Sequence, residues 1–187
     1  ERSLAKLPVP KPMRWGAHEF SFVRPVHWVV MLFGEAVVEG QLLGQEIGRN
    51  SRGHRFHHPK RVWLSPPGEY VEALRAAYVI VDPAERRKLV EKGVIEQGKV
   101  AEGQAQIREA LLDEVTNLVE WPVAIAGEYD AEFLEVPAEA LISSMEGHQK
   151  FFPVVDADGG LLPRFIGVAN VASTDPDEVA RGYGRVI

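Results

Sequence analysis

The chain has 187 residues, of which 45% are hydrophobic and 26% are charged, and its formal net charge is −6. This composition is typical of a globular protein, and no apolar run approaches the roughly 20 residues that a membrane-spanning helix needs. The absence of cysteine excludes disulfide bonds, a thiolate nucleophile and cysteine-ligated zinc, and it is compatible with the reducing cytoplasm.

The first dozen residues are rich in proline and predict a lead-in to the folded part of the chain. Two runs follow, VHWVVMLFG at residues 26–34 and EAVVEGQLLG at residues 35–44, and both are rich in β-branched or aromatic residues. Such runs joined around a glycine predict neighbouring strands of a sheet. Because the first residue is Glu1 and not methionine, we expect the chain to be a piece of a longer protein.

Residues 49–61, RNSRGHRFHHPKR, are the most basic segment, with five Lys or Arg, three histidines and no acid. Residues 1–63 hold ten Lys or Arg against five acids, whereas residues 64–187 hold eleven against twenty-two. The Gly, Asn, Ser and Pro residues of the segment are typical of turns. We therefore predict a basic loop, which either binds the phosphates of a polyanion such as RNA or is simply solvated.

A metal site is an alternative interpretation of the same loop, because His54, His57 and His58 are potential ligands. The loop contains no carboxylate or cysteine, however, and its five cations would repel a divalent ion. We therefore predict no metal.

Helical signals dominate the middle of the chain. A first helix is expected over residues 69–77, followed by a short strand at residues 79–82. Asp82 predicts an N-cap, with Pro83 at the first helical position. Charged and apolar residues then alternate at helical spacing up to Pro122, and three glycines in this stretch argue against an unbroken rod.

Residues 123–129, VAIAGEY, predict a strand, and a helix is expected to open at Pro137. In that helix Met145 and His148 share a face with other apolar residues, so we expect His148 to lean toward the core. Residues 151–171 predict a hairpin around a turn of Asp and Gly residues.

A last helix should begin after Asp175, which is followed by proline and two acids. Short strands interrupted by helices of unequal length predict an α+β fold, with a mixed or antiparallel sheet and flanking helices. We expect residues 1–187 to form one domain-sized fragment, in which residues 1–12 are the lead-in and residues 175–187 start a helix that leads to a next domain.

Residues 143–154, SSMEGHQKFFPV, raise the question of catalysis. Ser143 and Ser144 lie within one helical turn of His148, but GxSxG is absent, so hydrogen bonding at a helix end is the expected role. Glu120 is either a buried carboxylate that acts as a general base or a solvated one. The sequence has no GxxxxGK[ST] loop, which excludes ATP binding by that route.

Several segments together resemble the amino-terminal part of the bacterial glycyl-tRNA synthetase beta subunit. They are MRWG at residues 13–16, FVRPVHWVV at 22–30, GHRFHHP at 53–59, and the long runs at 117–154 and 165–187. They cover nearly the whole chain in order, and are far more specific than any single motif above. In that family the amino-terminal region of the beta subunit is similar to the B3/B4 editing domain of phenylalanyl-tRNA synthetase. Membership of the family would therefore imply a B3/B4-like fold for this chain.

The resemblance implies a part of a glycine–tRNA ligase that supports tRNA(Gly) binding and subunit assembly and does not aminoacylate by itself. Its partners would be tRNA(Gly), the remainder of beta and the alpha subunit, which activates glycine with ATP and magnesium; no cofactor and no membrane contact is expected in this fragment. One alternative is a hydrolytic editing domain for mischarged tRNA, with Glu120 or His148 as the base. Another is a packing domain, with Trp15, Trp28 and Trp63 at a subunit contact.

The predicted RNA contacts lie in the basic segment, which contains the family motif GHRF at residues 53–56, and in the HQK motif at residues 148–150, which also matches the family. They are Arg52, His54, Arg55, Lys60, Arg61, His148, Gln149 and Lys150. If the fold brings the two motifs together, the cations can bind phosphate while His148 and Gln149 hydrogen-bond to a sugar or base edge. The alternative is that His148 and Gln149 cap helix and strand ends.

Overall fold

The computed structural model describes residues 3–187, with the exception of the side chain of residue 5. The chain divides into two compact units, Glu1–Ala77 and Tyr78–Ile187. Helices combined with antiparallel and mixed sheets confirm the predicted α+β class. In the described part of the chain, no helix has the length and apolar character that crossing a bilayer requires.

The first unit is built from very short strands. The first five are β1 (Val29–Val30), β2 (Leu32–Phe33), β3 (Ala36–Val37), β4 (Gln41–Leu42) and β5 (Gln45–Gly48). Strand β5 pairs in parallel with β1 and antiparallel with β4, and β2 pairs antiparallel with β3. The turn between β2 and β3 contains Gly34 at a φ of 58°, a left-handed conformation that glycine adopts without strain. The predicted strands around this glycine are therefore confirmed, in shorter pieces.

The second half of this unit is a hairpin followed by a helix. Strand β6 (Asn50–Arg52) pairs antiparallel with β7 (Arg61–Trp63), so the predicted basic loop is the connection of a hairpin. A 3₁₀ turn at Pro67–Glu69 then leads into α1 (Tyr70–Ala76), which confirms the first predicted helix.

The second unit contains a four-stranded antiparallel sheet in the order β8-β10-β11-β9. Its strands are β8 (Gln104–Ala105), β9 (Val123–Glu128), β10 (Phe152–Val155) and β11 (Leu161–Ala169). The strand predicted after Pro122 and the hairpin predicted over residues 151–171 are both present. In the hairpin turn, the Asp156 carboxylate accepts hydrogen bonds from the backbone N–H groups of Asp158 and Gly160.

The helices that follow Asp82, Pro137 and Asp175 start where the sequence predicts, whereas the helix start at Glu109 was not predicted. The helices of this unit are α2 (Pro83–Val100), α3 (Glu109–Leu118), α4 (Ala138–Ser144) and α5 (Pro176–Gly184), with a 3₁₀ turn at Ala131–Glu135 and a π-helical turn at Met145–Gln149. The Asp82 carboxylate accepts from the Ala84 N–H at 2.8 Å, and the Asp175 carboxylate accepts from the Glu178 N–H at 3.0 Å. Both predicted N-caps are confirmed.

The helical stretch up to Pro122 is broken, as its glycines indicated: α2 ends at Val100 and is followed by β8 and α3. Helix α2 packs so close to β8 that a Cβ atom on Gly98 would lie 2.9 Å from the Ala105 nitrogen. One prediction in this region is wrong. Residues 79–82 form no strand, because their backbone groups bond elsewhere: the Ile80 N–H donates to the Glu120 carbonyl, and the Ile80 carbonyl accepts from Arg86.

Helices cover both faces of the second unit's sheet. Successive side chains of a strand point to opposite faces, and the adjacent residues Phe165 and Ile166 belong to different hydrophobic clusters. Ile166 packs with residues of α2 and α3, whereas Phe165 packs with Met145, Phe151 and Tyr129. Burial raises the pKa of the Tyr129 phenol above its usual range, since the charged form would lose hydration.

Candidate nucleic-acid interface

The hairpin of β6 and β7 presents two arginines and a tryptophan on one face. Its register places Arg52 opposite Arg61, Ser51 opposite Val62 and Asn50 opposite Trp63. Ser51 and Val62 are buried, whereas Arg52, Arg61 and Trp63 are exposed. The alternation of the strands therefore gathers the cations on the outer face.

Arg52 and Arg61 are like charges at directly opposite positions, where Cβ atoms are about 4.5–5.5 Å apart and like charges destabilise the pairing. Among residues 3–187, neither arginine forms an ion pair with a carboxylate, and the same holds for Arg55 and Lys60. The hairpin thus carries four cations without an acidic partner in the described chain.

Exposed aromatic rings lie beside these cations. Trp63 is 64% exposed and Phe56 is 68% exposed. The Arg52 guanidinium carbon lies 5.7 Å from the centroid of Trp28, and that of Arg55 lies 5.8 Å from the centroid of Phe56. Cation–π contacts at these distances hold rings and charges together. The face therefore combines the two groups that bind single-stranded nucleic acids, cations for phosphates and rings for bases.

His54 has a structural role inside the loop. It is 1% exposed, and its Nδ1 accepts hydrogen bonds from the backbone N–H groups of Phe56 and His57, both at 3.2 Å. Gly53 beside it has no room for a side chain, because a Cβ atom there would lie 2.7 Å from the Ala77 Cβ. The ring of His54 is buried within the loop, and a contact of His54 with RNA stays a prediction.

The predicted HQK motif follows α4 as a π-helical turn. The N–H groups of Lys150 and Phe151 both donate to the Met145 carbonyl, and Lys150 has a left-handed φ of 60°. A π turn is wider than an α turn, so the helical phase changes before His148. His148 is exposed and Gln149 is half-buried. The expectation that His148 leans toward the core is therefore wrong.

Lys150 already has partners within its own unit. Its ammonium nitrogen lies 2.9 Å from a carboxylate oxygen of Glu114 on α3 and donates to the Gly147 carbonyl at 2.9 Å. A neighbouring pair joins Arg108 to Glu146 at 3.0 Å. The cation of Lys150 is thus balanced locally, in contrast to the cations of the hairpin.

Glu120 does not have the burial that the general-base hypothesis requires. Its side chain is exposed, and its backbone N–H donates to Asn170 Oδ1 at 2.6 Å. Ser143 is also exposed. The interpretation of Glu120 as a buried carboxylate is wrong, and its backbone serves to tie the end of α3 to the segment after β11.

The two predicted halves of the RNA site lie in different units. Arg52, Arg55, Lys60 and Arg61 belong to the first unit, and the HQK motif belongs to the second. The convergence of the two motifs therefore stays a prediction. No group of three or more His, Asp or Glu residues suited to a metal ion occurs within residues 3–187.

Trp28 and Trp63 lie beside arginines of the first unit, whereas sequence reasoning named them only for the alternative of a packing contact. The pattern in β7 contained a usable signal, because Val62 lies between Arg61 and Trp63 and a half-buried strand alternates. Trp28 gave no such signal, since its approach to Arg52 depends on the pairing of distant segments.

Comparisons with known proteins show the family of the chain. The profile of the family described as "Glycyl-tRNA synthetase beta subunit" matches residues 1–187. The chain is 54% identical over 185 residues to the glycine–tRNA ligase beta subunit of Xylella fastidiosa (strain M12). This match covers 99% of this chain and 26% of that protein. It is 53% identical over 187 residues to the beta subunit of Pseudomonas entomophila (strain L48), and this match covers 100% of this chain and 27% of that protein.

These relatives define one class of proteins, the subunits of an aminoacyl-tRNA synthetase. The chain belongs to the glycyl-tRNA synthetase beta subunit family. It spans about a quarter of the length of the curated relatives that it matches.

Proposed function

We propose that this chain is a tRNA-binding part of a cytoplasmic glycine–tRNA ligase, and that it holds the sugar–phosphate backbone of tRNA(Gly) on the exposed face of the β6–β7 hairpin. The observation that carries this proposal is the placement of Arg52 directly opposite Arg61, with no ion pair to either in the described chain.

The repulsion between these two arginines favours an anion as the ligand. Like charges at opposite positions destabilise a hairpin, and an anion between them turns repulsion into attraction. The planar guanidinium matches the geometry of phosphate oxygens. Arg55 and Lys60 lie in the connecting loop and add two further cations to the hairpin.

Membership of a beta-subunit family supports different roles for the alpha and beta subunits of the assembly. We assign the activation of glycine, with ATP and magnesium, to the alpha subunit, and to this chain a role in binding tRNA and in assembly with alpha and the rest of beta. The exposed position of Glu120 argues against it as a buried general base for editing.

Replacing Arg52 or Arg61 by alanine is expected to weaken tRNA(Gly) binding by the intact alpha–beta assembly. Each lost phosphate contact should also make the plot of log affinity against log salt less steep by about 0.7–0.9. The measurement is fluorescence anisotropy of labelled tRNA at salt concentrations between about 50 and 200 mM.

Arg181→Ala is the matched control, because it removes the same group from an arginine that is paired with Glu178 in α5. It should leave the salt slope unchanged. The proposal fails if Arg52→Ala and Arg61→Ala behave like this control.

Arg55→Ala should weaken tRNA binding more than Lys150→Ala. Arg55 has no acidic partner in the described chain, whereas Lys150 is neutralised by Glu114 at 2.9 Å. Glu114→Gln removes that competition, so it should strengthen binding if Lys150 faces tRNA. The same anisotropy titrations measure all three variants. A larger loss for Lys150→Ala than for Arg55→Ala would contradict the assignment of the hairpin as the principal contact.

A further inference from the structure

We infer that the groove beside Trp28 binds one unpaired nucleotide of an RNA strand, with its phosphate on Arg52 and Arg61 and its base against the Trp28 ring. This inference rests on the proposed function, because it uses the same two arginines. It goes further by naming the form of RNA that the site takes.

Two grooves of the first unit share Trp28 and Ser51 as lining residues. The polar groove has a volume of about 420 Å³, and His27, Arg52 and Arg61 are among its lining residues. The apolar groove has a volume of about 430 Å³, and Leu32, Leu64 and Tyr70 are among its lining residues. Both volumes fall within the range of about 300–1,000 Å³ that small-ligand sites occupy.

The chemistry of the two grooves matches the two ends of a nucleotide. The polar groove offers two guanidinium groups for a phosphate, and the apolar groove offers aliphatic and aromatic walls for a base. Trp28 is 43% exposed and lines both grooves, with the Arg52 guanidinium carbon 5.7 Å from its ring centroid. An aromatic ring beside a positively charged groove is the arrangement with which proteins bind single strands.

The acidic residue of the polar groove restricts where an anion can lie. Glu46 also lines this groove, and its carboxylate accepts a hydrogen bond from Gln41 at 3.3 Å. Since Glu46 forms no ion pair with Arg52 or Arg61 among residues 3–187, the arginines keep their charge for a ligand. A phosphate is therefore directed to the arginine side, away from Glu46.

The geometry favours an unpaired nucleotide over a duplex and over a protein side chain. In a duplex the bases are stacked and paired, so their faces cannot reach a ring in a groove. An apolar side chain of a partner would fill the apolar groove but would leave the repulsion between Arg52 and Arg61 in place. Only a ligand with both a planar apolar group and an anion uses both grooves.

The test compares a short unstructured RNA oligonucleotide with an RNA duplex of equal length, both bound to the intact alpha–beta assembly. Trp28→Leu should weaken binding of the single strand by roughly 5- to 150-fold, the range for loss of one stacked base, and should leave duplex binding unchanged. Trp28→Phe keeps a stacking ring and should retain most of the affinity. The salt slope should not change in either variant, because no cation is removed.

Phe33→Leu is the matched control, since it removes an exposed ring of the same unit from the tip of the β2–β3 hairpin. It should not affect either probe. Thermal unfolding of each variant shows whether Trp28→Leu preserves the fold. If Trp28→Leu unfolds the chain, the comparison of Trp28→Phe with the unaltered assembly still tests the inference.

The outcomes separate this inference from the proposed function. If Arg52→Ala flattens the salt slope of tRNA binding and Trp28→Leu leaves single-strand affinity unchanged, the nucleotide site is refuted and backbone binding stands. Equal losses for single strand and duplex, or no measurable single-strand binding by the unaltered assembly, would also overturn it. Impaired subunit assembly with unchanged RNA affinity would show that a protein side chain occupies the groove.

Discussion

Phe165→Ala is expected to lower the free energy of unfolding of the second unit by about 3–5 kcal/mol, the cost of deleting a buried aromatic ring. Phe165 is 0% exposed, and its ring stacks on Phe151 with centroids 4.6 Å apart. It lies against Gly127 of β9, where even a Cβ atom would overlap the ring. The cavity left by alanine would therefore open in the cluster that connects the sheet to α4 and the π turn.

Urea denaturation of the variant and the unaltered chain, followed by circular dichroism, measures this loss. Phe133→Ala is the matched control, because Phe133 is an aromatic residue of the same unit in an exposed 3₁₀ turn. Its loss should be much smaller. If the two variants lost equal stability, Phe165 would not be the centre of a packed core.

Arg86→Met is expected to destabilise the same unit by about 2–5 kcal/mol, because each buried carbonyl left without a donor costs about 1–3 kcal/mol. The Arg86 Nε donates to the Thr116 carbonyl at 2.8 Å, and Nη1 donates to the Ile80 carbonyl at 2.6 Å. One guanidinium thus joins α2, the end of α3 and the segment before α2. Methionine retains much of the apolar stem but none of these bonds.

Lys88→Met is the control for this substitution, since Lys88 is an exposed cation of the same helix. It should change the urea midpoint little. Arg86→Lys should recover only part of the loss, because an ammonium group lacks the fork that reaches two carbonyls from one plane. A midpoint for Arg86→Met equal to that for Lys88→Met would contradict the bridging role.

The features that sequence reasoning predicted correctly have local causes. Asp82 and Asp175 cap helices by bonding to N–H groups two or three residues away, so the signal and its result lie in the same turn. The hairpin turn at Asp156 is equally local, because its carboxylate bonds to the next few N–H groups. The α+β class follows from the succession of such elements.

The features that it missed depend on contacts between distant residues. The glycines of the helical stretch indicated a break, but its position depends on the approach of Ala105 to Gly98. The segment around Ile80 has the composition of a strand, but its backbone bonds to Glu120 and Arg86 and not to a neighbouring strand. Composition does not encode such partners.

The same distinction between local and distant causes holds for the candidate site. The basic segment stands out by its charge, and its place in an exposed hairpin loop agrees with its turn residues. The burial of His54 and the pairing of Lys150 with Glu114 were not predictable, because one depends on the fold of the loop and the other joins residues 36 positions apart.

The π turn that ends at Lys150 sets the phase of the strand that follows it. Successive positions in a strand alternate between the two sheet faces. Strand β10 begins two residues after Lys150, with Phe152 and Val154 in the cluster beneath α2 and α3. Deleting one residue from Met145–Gln149 would shorten the turn toward α-helical closure and would shift β10 by one position. The faces to which its side chains point would then be exchanged, so the number of residues in this wide turn decides which of two adjacent phenylalanines enters which core.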